Sequence, residues 1–206
     1  MIELSKFNNM DIKKAVNFIF ELNQLKRVRH AGFQLTGVKD PDSIAEHAWR
    51  AAQIGYILAV MEGAANPDRV ATMVLIHDNG EARIGDQHKL AARYFNTDQA
   101  EDRAFSEQLE NLEDKISVDW KKCFAEFENR NTKEGIIAKD ADWLEQAFQA
   151  KEYVDLGYQS AVDLINNVEK ALETESAKKL LREMKNVKFS DWWQGLKKMT
   201  YKKIKN

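Results

Sequence analysis

Two of the four histidines in this 206-residue chain stand beside carboxylates inside apolar runs: His47 in Ala45-Glu46-His47-Ala48-Trp49 and His77 in Leu75-Ile76-His77-Asp78. A lone helical histidine is ordinarily a hydrogen-bonded core residue. An imidazole next to a carboxylate near a helix end is different, because the two can converge on one cation, and neutral imidazole plus carboxylate suits divalent transition metals. His47 adds a third donor if its helix packs antiparallel to the next one through the short connection 63–66. A fourth must come from the apolar stretch Ile136-Ile137-Ala138-Lys139-Asp140-Ala141-Asp142-Trp143-Leu144-Glu145, where an unpaired buried carboxylate would be costly. At ~100° per helical residue, Asp140 and Asp142 point to roughly opposite sides, so only one can face the ion, and periodicity leaves open which.

The remaining reactive residues read as ordinary. His30 and His88 fall in turn-like segments and are expected at the surface, and the single cysteine, Cys123, reads as a half-buried filler with no partner for a disulfide. Phe33 and Trp49 are expected in the core.

Positioning this chemistry requires helices, and the sequence supplies them. Ile12, Val16, Ile19, Phe20, Leu22 and Leu25 follow helical spacing after a capping cluster of Asn8, Asn9 and Asp11. A loop over 32–42 ends at Pro41, and Ser43 with Glu46 has capping-box spacing for a second helix reaching about Met61. Asn66-Pro67 pairs an N-cap with proline at the first helical position, opening a third helix that runs through Val70, Met73 and Val74 to Gly80. Further amphipathic helices are expected over 97–115, 118–129, 132–154, 160–174 and 176–184. The tail from 188 on mixes Trp192, Trp193, Leu196, Met199 and Tyr201 with lysines and reads as a face docking on the domain or on a second subunit.

Composition agrees with an all-α domain. Only 2 prolines and 9 glycines interrupt the chain, so long helices are permitted and an all-β fold is not expected. With 31 basic and 33 acidic residues the net charge is −2, which gives no electrostatic reason to expect nucleic acid as partner. No run approaches the ~18 apolar residues of a membrane span, and the start lacks a signal-peptide core, so no membrane association and a cytoplasmic location are expected. One domain over 1–206 is expected, with its motif-bearing core at about 10–156 and C-terminal helices over 158–206.

The order His47, then His77-Asp78, then a late aspartate resembles the H…HD…D signature of HD-domain metal-dependent phosphohydrolases. Three blocks sharpen the likeness: Leu25-Lys26-Arg27-Val28, Ser43-Ile44-Ala45-Glu46-His47, and His77-Asp78-Asn79-Gly80-Glu81-Ala82-Arg83-Ile84-Gly85-Asp86 are similar, in order, to those of the HD-domain 5′-deoxynucleotidase family. The resemblance spans about 22–156. It implies an all-α HD-domain bundle, and the family's Lys-x-x-Asp block matches Lys139 to Asp142 and nominates Asp142 over Asp140. It further implies His47, His77, Asp78 and Asp142 as metal ligands, Asp78, Glu81 and Asp86 as the carboxylates handling water or protons, and Arg27 as a phosphate contact. Bacterial relatives carry tryptophan after that arginine, near the sugar; this chain has Val28.

The expected activity is therefore hydrolysis of the 5′-phosphate monoester of (deoxy)ribonucleoside monophosphates, with one divalent ion (Mn, Co, Ni, Fe or Zn, with Mg an option) and a homodimeric assembly. The alternatives are another HD activity, such as a phosphodiesterase or alarmone hydrolase, and a non-catalytic metal- or nucleotide-binding module.

Overall fold

The computed structural model describes residues 11–63, 66–110, 112–194 and 196. The capping residues Asn8 and Asn9, and the lysine-rich end of the tail with Met199 and Tyr201, lie outside them. The α-helices are α1 (Ile12–Leu22), α2 (Ala31–Leu35), α3 (Ile44–Glu62), α4 (Pro67–Ile76), α5 (Glu81–Ile84), α6 (Thr97–Leu109), α7 (Asp114–Asn129), α8 (Lys133–Asp155), α9 (Val162–Ala171) and α10 (Glu175–Asn186). The fold is all-α: among the described residues the only β pairing is an isolated bridge between Arg29 and Ser43.

Helix α8 is the axis. It packs on α3, α4, α7, α9 and α10, and its small residues Ala138, Ala141, Ala147 and Ala150 are fully buried, which lets neighbouring helices approach closely. Gly55 of α3 serves the same end, since a Cβ there would meet Val70 and Val74 at 3.2 Å and Ala141 at 3.5 Å. Helices α3 and α4 run antiparallel: the Gly55 level of α3 faces Val70 and Val74, while His47, earlier on α3, meets His77 just past the end of α4. The local signals are as the sequence implies. Ser43 and Glu46 form the reciprocal capping box, Gly63 ends α3 at φ 63°, and Asn66 caps α4 with Pro67 in its first turn.

Several expectations are corrected. The third helix does not reach Gly80; α4 stops at Ile76, and a turn with i to i+3 bonds at Asn79, Glu81 and Ala82 leads into the single turn of α5. Gly80 has φ −57°, and a Cβ there would lie 2.9 Å from the Glu101 carbonyl oxygen, so its lack of a side chain admits α6. The redirection falls at Gly85, φ 73°. A short helix, α2, begins just before the expected loop 32–42 and occupies its first four residues, held by the buried ring of Phe33. In α1 the buried residue is Phe18, whereas Ile12, Ile19 and Phe20 face solvent. Cys123 is fully buried rather than half-buried. Trp192 and Leu196 of the tail are largely exposed in the single chain.

The bridge between Arg29 and Ser43 matters for the site. His30 N–H donates to the Asp42 carbonyl (3.1 Å) and Ile44 N–H to the Val28 carbonyl (3.0 Å), tying the segment with Arg27 and Val28 to the start of α3.

Candidate metal centre

His47 and His77 come from antiparallel helices and Asp142 from the helix crossing both, so three separate elements converge. His47, His77 and Asp78 each place a donor atom within 4.8 Å of the others. His47 Nε2 lies 3.3 Å from Asp142 Oδ1 and 3.7 Å from Asp78 Oδ2; His77 Nε2 lies 2.9 Å from Asp78 Oδ1 and 3.6 Å from Asp142 Oδ1. The opposite ring nitrogens are occupied. His77 Nδ1 is 2.6 Å from the Val74 carbonyl oxygen, which can only accept, so Nδ1 carries a proton and Nε2 is the nitrogen that faces the cluster. His47 Nδ1 meets Glu145 Oε2 at 2.5 Å.

Electrostatics fit a cation. Burial opposes charge on His77, yet the Asp78 and Asp142 carboxylates outweigh it and push its pKa up to about 10. Burial likewise resists ionisation of Asp142, but Lys139 and His77 hold it well below the usual carboxylate range, and His77 does the same for Asp78. A divalent ion would compete with protons for these same nitrogen and oxygen donors. Glu81 behaves oppositely: burial first, then Asp78, Asp86 and Glu101, push its carboxyl well above the usual range, and its buried Oε2 has no hydrogen-bond partner. Two imidazoles, two ionised carboxylates and an orphaned buried carboxyl oxygen together suit a divalent transition ion.

The other expected residues are placed as follows. Asp86 Oδ2 accepts from the Ala31 amide at 2.5 Å, and burial raises its pKa. Arg27 is exposed, donates to the Asn23 carbonyl at 3.3 Å, and makes no hydrogen bond to the four-residue cluster. Val28 is half-buried. Asp140 turns away from the cluster to cap α10, accepting from Glu173 N–H and from the Thr174 amide and hydroxyl at 2.6–3.1 Å.

Three residues depart from their sequence reading. His30 is buried, stacked edge-on between Phe33 and His47 and paired with Asp42 at 3.4 Å. Trp49, expected in the core, is 65% exposed because α3 turns that face outward. Glu145 received no role, although its position three residues after Asp142 puts it on the same helix face, a spacing signal that pointed to it.

The sequence model of the HD domain matches residues 22–186. This chain belongs to the HD-domain family. Among curated proteins it is similar to 5′-deoxynucleotidase HDDC2 of Homo sapiens, 25% identical over 159 residues, covering 75% of this chain and 76% of that protein. It is also similar to 5′-deoxynucleotidase HDDC2 of Dictyostelium discoideum, 29% identical over 138 residues, covering 63% and 72%. Of solved structures, a conserved hypothetical protein of Pyrococcus furiosus superposes with a TM-score of 0.70 at 27% identity, covering 84% of this chain and 99% of that one. A predicted metal-dependent phosphohydrolase of Magnetospirillum magnetotacticum, at 22% identity and a TM-score of 0.66 over 87% of this chain and 93% of that one, shares the fold.

Proposed function

We propose that this chain is a divalent-metal-dependent phosphomonoesterase that releases inorganic phosphate from (deoxy)ribonucleoside 5′-monophosphates. The observation that carries the reading is the convergence of His47 and His77 Nε2 with Asp78 and Asp142; the similarity to curated 5′-deoxynucleotidases supplies the substrate class. His47, His77, Asp78 and Asp142 would hold the ion, which when bound would supply a Lewis acid for the phosphoryl oxygens and lower the pKa of water.

The chain's own residues then divide the work. Asp78, kept ionised by His77, orients the attacking water by accepting its hydrogen bond. Glu81, whose carboxyl is pushed well above the usual range by burial and by Asp78, donates a proton to the departing 5′ oxygen, with Asp86 beside it completing the acidic wall. Arg27 offers a planar fork to the phosphate oxygens, and the bond from Ile44 N–H to the neighbouring Val28 carbonyl ties its segment to the helix bearing His47. A cytoplasmic homodimer completes the reading: the exposed row Trp49, Tyr56, Ile57 and Val60 on α3 supports self-association, and among the described residues no helix is long and apolar enough to cross a membrane.

The test is a phosphate-release screen of ribo- and deoxyribonucleoside mono-, di- and triphosphates, cyclic nucleotides and alarmones, each with several divalent metals. Turnover confined to monophosphates is expected. Turnover confined to cyclic nucleotides or alarmones would replace this reading by a phosphodiesterase or alarmone hydrolase.

A further inference from the structure

On the side of His47 away from the ion site lies a buried charged chain. Glu145 is 1% exposed. Its Oε2 meets His47 Nδ1 at 2.5 Å, while Oε1 lies 2.8 Å from Arg50 Nε and 2.6 Å from Arg50 Nη2. Arg50 is itself fixed, donating to Gln149 and to Glu152 at 2.6 Å each.

The spacing repeats on both helices. On α3, His47 is followed three residues later by Arg50; on α8, Asp142 is followed three residues later by Glu145. Each helix therefore contributes one residue facing the ion and one member of the bracing pair, and the two pairs cross. A buried ion pair is weak evidence for stability, since well-packed apolar residues of similar size would serve a helix contact as well or better. Asp140 shows what a purely architectural buried carboxylate does on this helix, spending its acceptors on the start of α10. Glu145 instead spends one oxygen on an imidazole whose other nitrogen faces the cluster.

We propose that Glu145, braced by Arg50, is a positioning residue for the metal centre. It accepts the Nδ1 proton of His47, fixes the tautomer and ring orientation so that the Nε2 lone pair points toward Asp78 and Asp142, and makes that nitrogen a stronger donor. The inference rests on the metal-dependent reading above. His77 is braced differently, by the neutral Val74 carbonyl, so the two imidazoles are fixed independently and can be perturbed one at a time.

The experiment uses the full chain, stripped by chelation and titrated with cobalt(II) alone, Kd being read from the cobalt absorption bands and the two ring N–H protons from their paramagnetically shifted, exchangeable NMR signals. For Glu145→Gln, a Kd raised by roughly 10- to 100-fold is expected. The His47 N–H signal should shift or be lost to exchange while the His77 signal stays in place. Arg50→Lys, which keeps the charge but loses the two-pronged grip, should move the same signal with a smaller rise in Kd. A folded Glu145→Gln chain with the wild-type Kd and both signals unmoved overturns the proposal; so does equal displacement of both signals, which marks general loosening. If Glu145→Gln does not fold, Arg50→Lys with wild-type Kd and signals overturns it. A wild-type chain that binds no cobalt overturns the metal reading itself and this inference with it, a result distinct from failure of the positioning role alone.

Discussion

Asp140 and Asp142, two residues apart on α8, serve opposite sides of the helix: Asp142 Oδ1 lies 3.3 Å from His47 Nε2, whereas Asp140 Oδ2 accepts the Thr174 amide and hydroxyl at 2.6 Å each. One helix therefore turns one carboxylate toward the histidines and fastens α10 with the other. Substitution should separate the two roles. Asp142→Asn is expected to abolish stoichiometric metal retention and turnover together. Asp140→Ala is expected to keep the metal but cost about 2 to 3 kcal/mol, because the Glu173 and Thr174 amides lose a buried charged acceptor, lowering Tm by roughly 4 to 12 °C in a chain of this size. Elemental analysis and thermal melts of both variants check it; metal loss in the Asp140 variant alone would reverse the assignment.

His77→Ala removes a nitrogen donor whose orientation is set in advance by the Val74 carbonyl. Metal content and phosphate release should both fall to background. Undiminished turnover in this variant would remove His77 from the centre.

Glu81→Ala should give a split result. The residue faces the acidic wall without joining the short contacts among His47, His77, Asp78 and Asp142, and burial and neighbouring carboxylates push its carboxyl well above the usual range. Metal content should persist while kcat falls by roughly 10² or more, as expected for a lost proton donor. If metal content falls with activity, Glu81 is a ligand.

How far the sequence could be read follows from what each signal depends on. Ser43 with Glu46 and Asn66 with Pro67 are local devices, acting within one turn, and the structure uses both as written. His77-Asp78 was visible because the two residues are adjacent, and Asp142 because a family spacing singled it out. What stayed hidden depends on distant partners. The close approach of α6 at Gly80 depends on the Glu101 carbonyl, 21 residues further along the chain. Burial of His30 depends on Asp42 and on the rings of Phe33 and His47. Trp49 reads as core by type, but one helical step separates it from the buried Ala48. Glu145 needed α3 alongside α8 before its carboxylate had an imidazole to hold.

Glu101 predicts a pH-dependent stability. Burial and the nearby Asp78 and Glu128 carboxylates push its pKa up to about 7 from an ordinary 4.5. A raised carboxylate pKa favours the folded state while the group is neutral, and that advantage is lost as pH climbs from about 4.5 through 7. In the chelator-stripped chain, Glu101→Gln should thus raise Tm by about 2 to 4 °C at pH 8 and leave it nearly unchanged near pH 4.5. Equal shifts at both pH values would mean that packing, not charge, sets the effect.

The sugar provides the last test. Val28 is half-buried, and its carbonyl is tied to the Ile44 amide at the start of the helix carrying His47. The backbone there is fixed, so side-chain volume sets the wall at this position. Where bacterial relatives place tryptophan, valine leaves a smaller wall, and a ribose 2′ hydroxyl should meet less steric resistance. A pocket that merely tolerates an extra hydroxyl discriminates by only ~1 to 3 kcal/mol, or about 10- to 200-fold in kcat/KM. AMP should therefore be turned over measurably beside dAMP, and Val28→Trp should raise the preference for the deoxy substrate without releasing the metal. A wild-type dAMP to AMP ratio above about 10³ would mean that a different residue guards the 2′ position. An unchanged ratio in Val28→Trp would place the sugar away from this segment, and Arg27 would lose its phosphate with it.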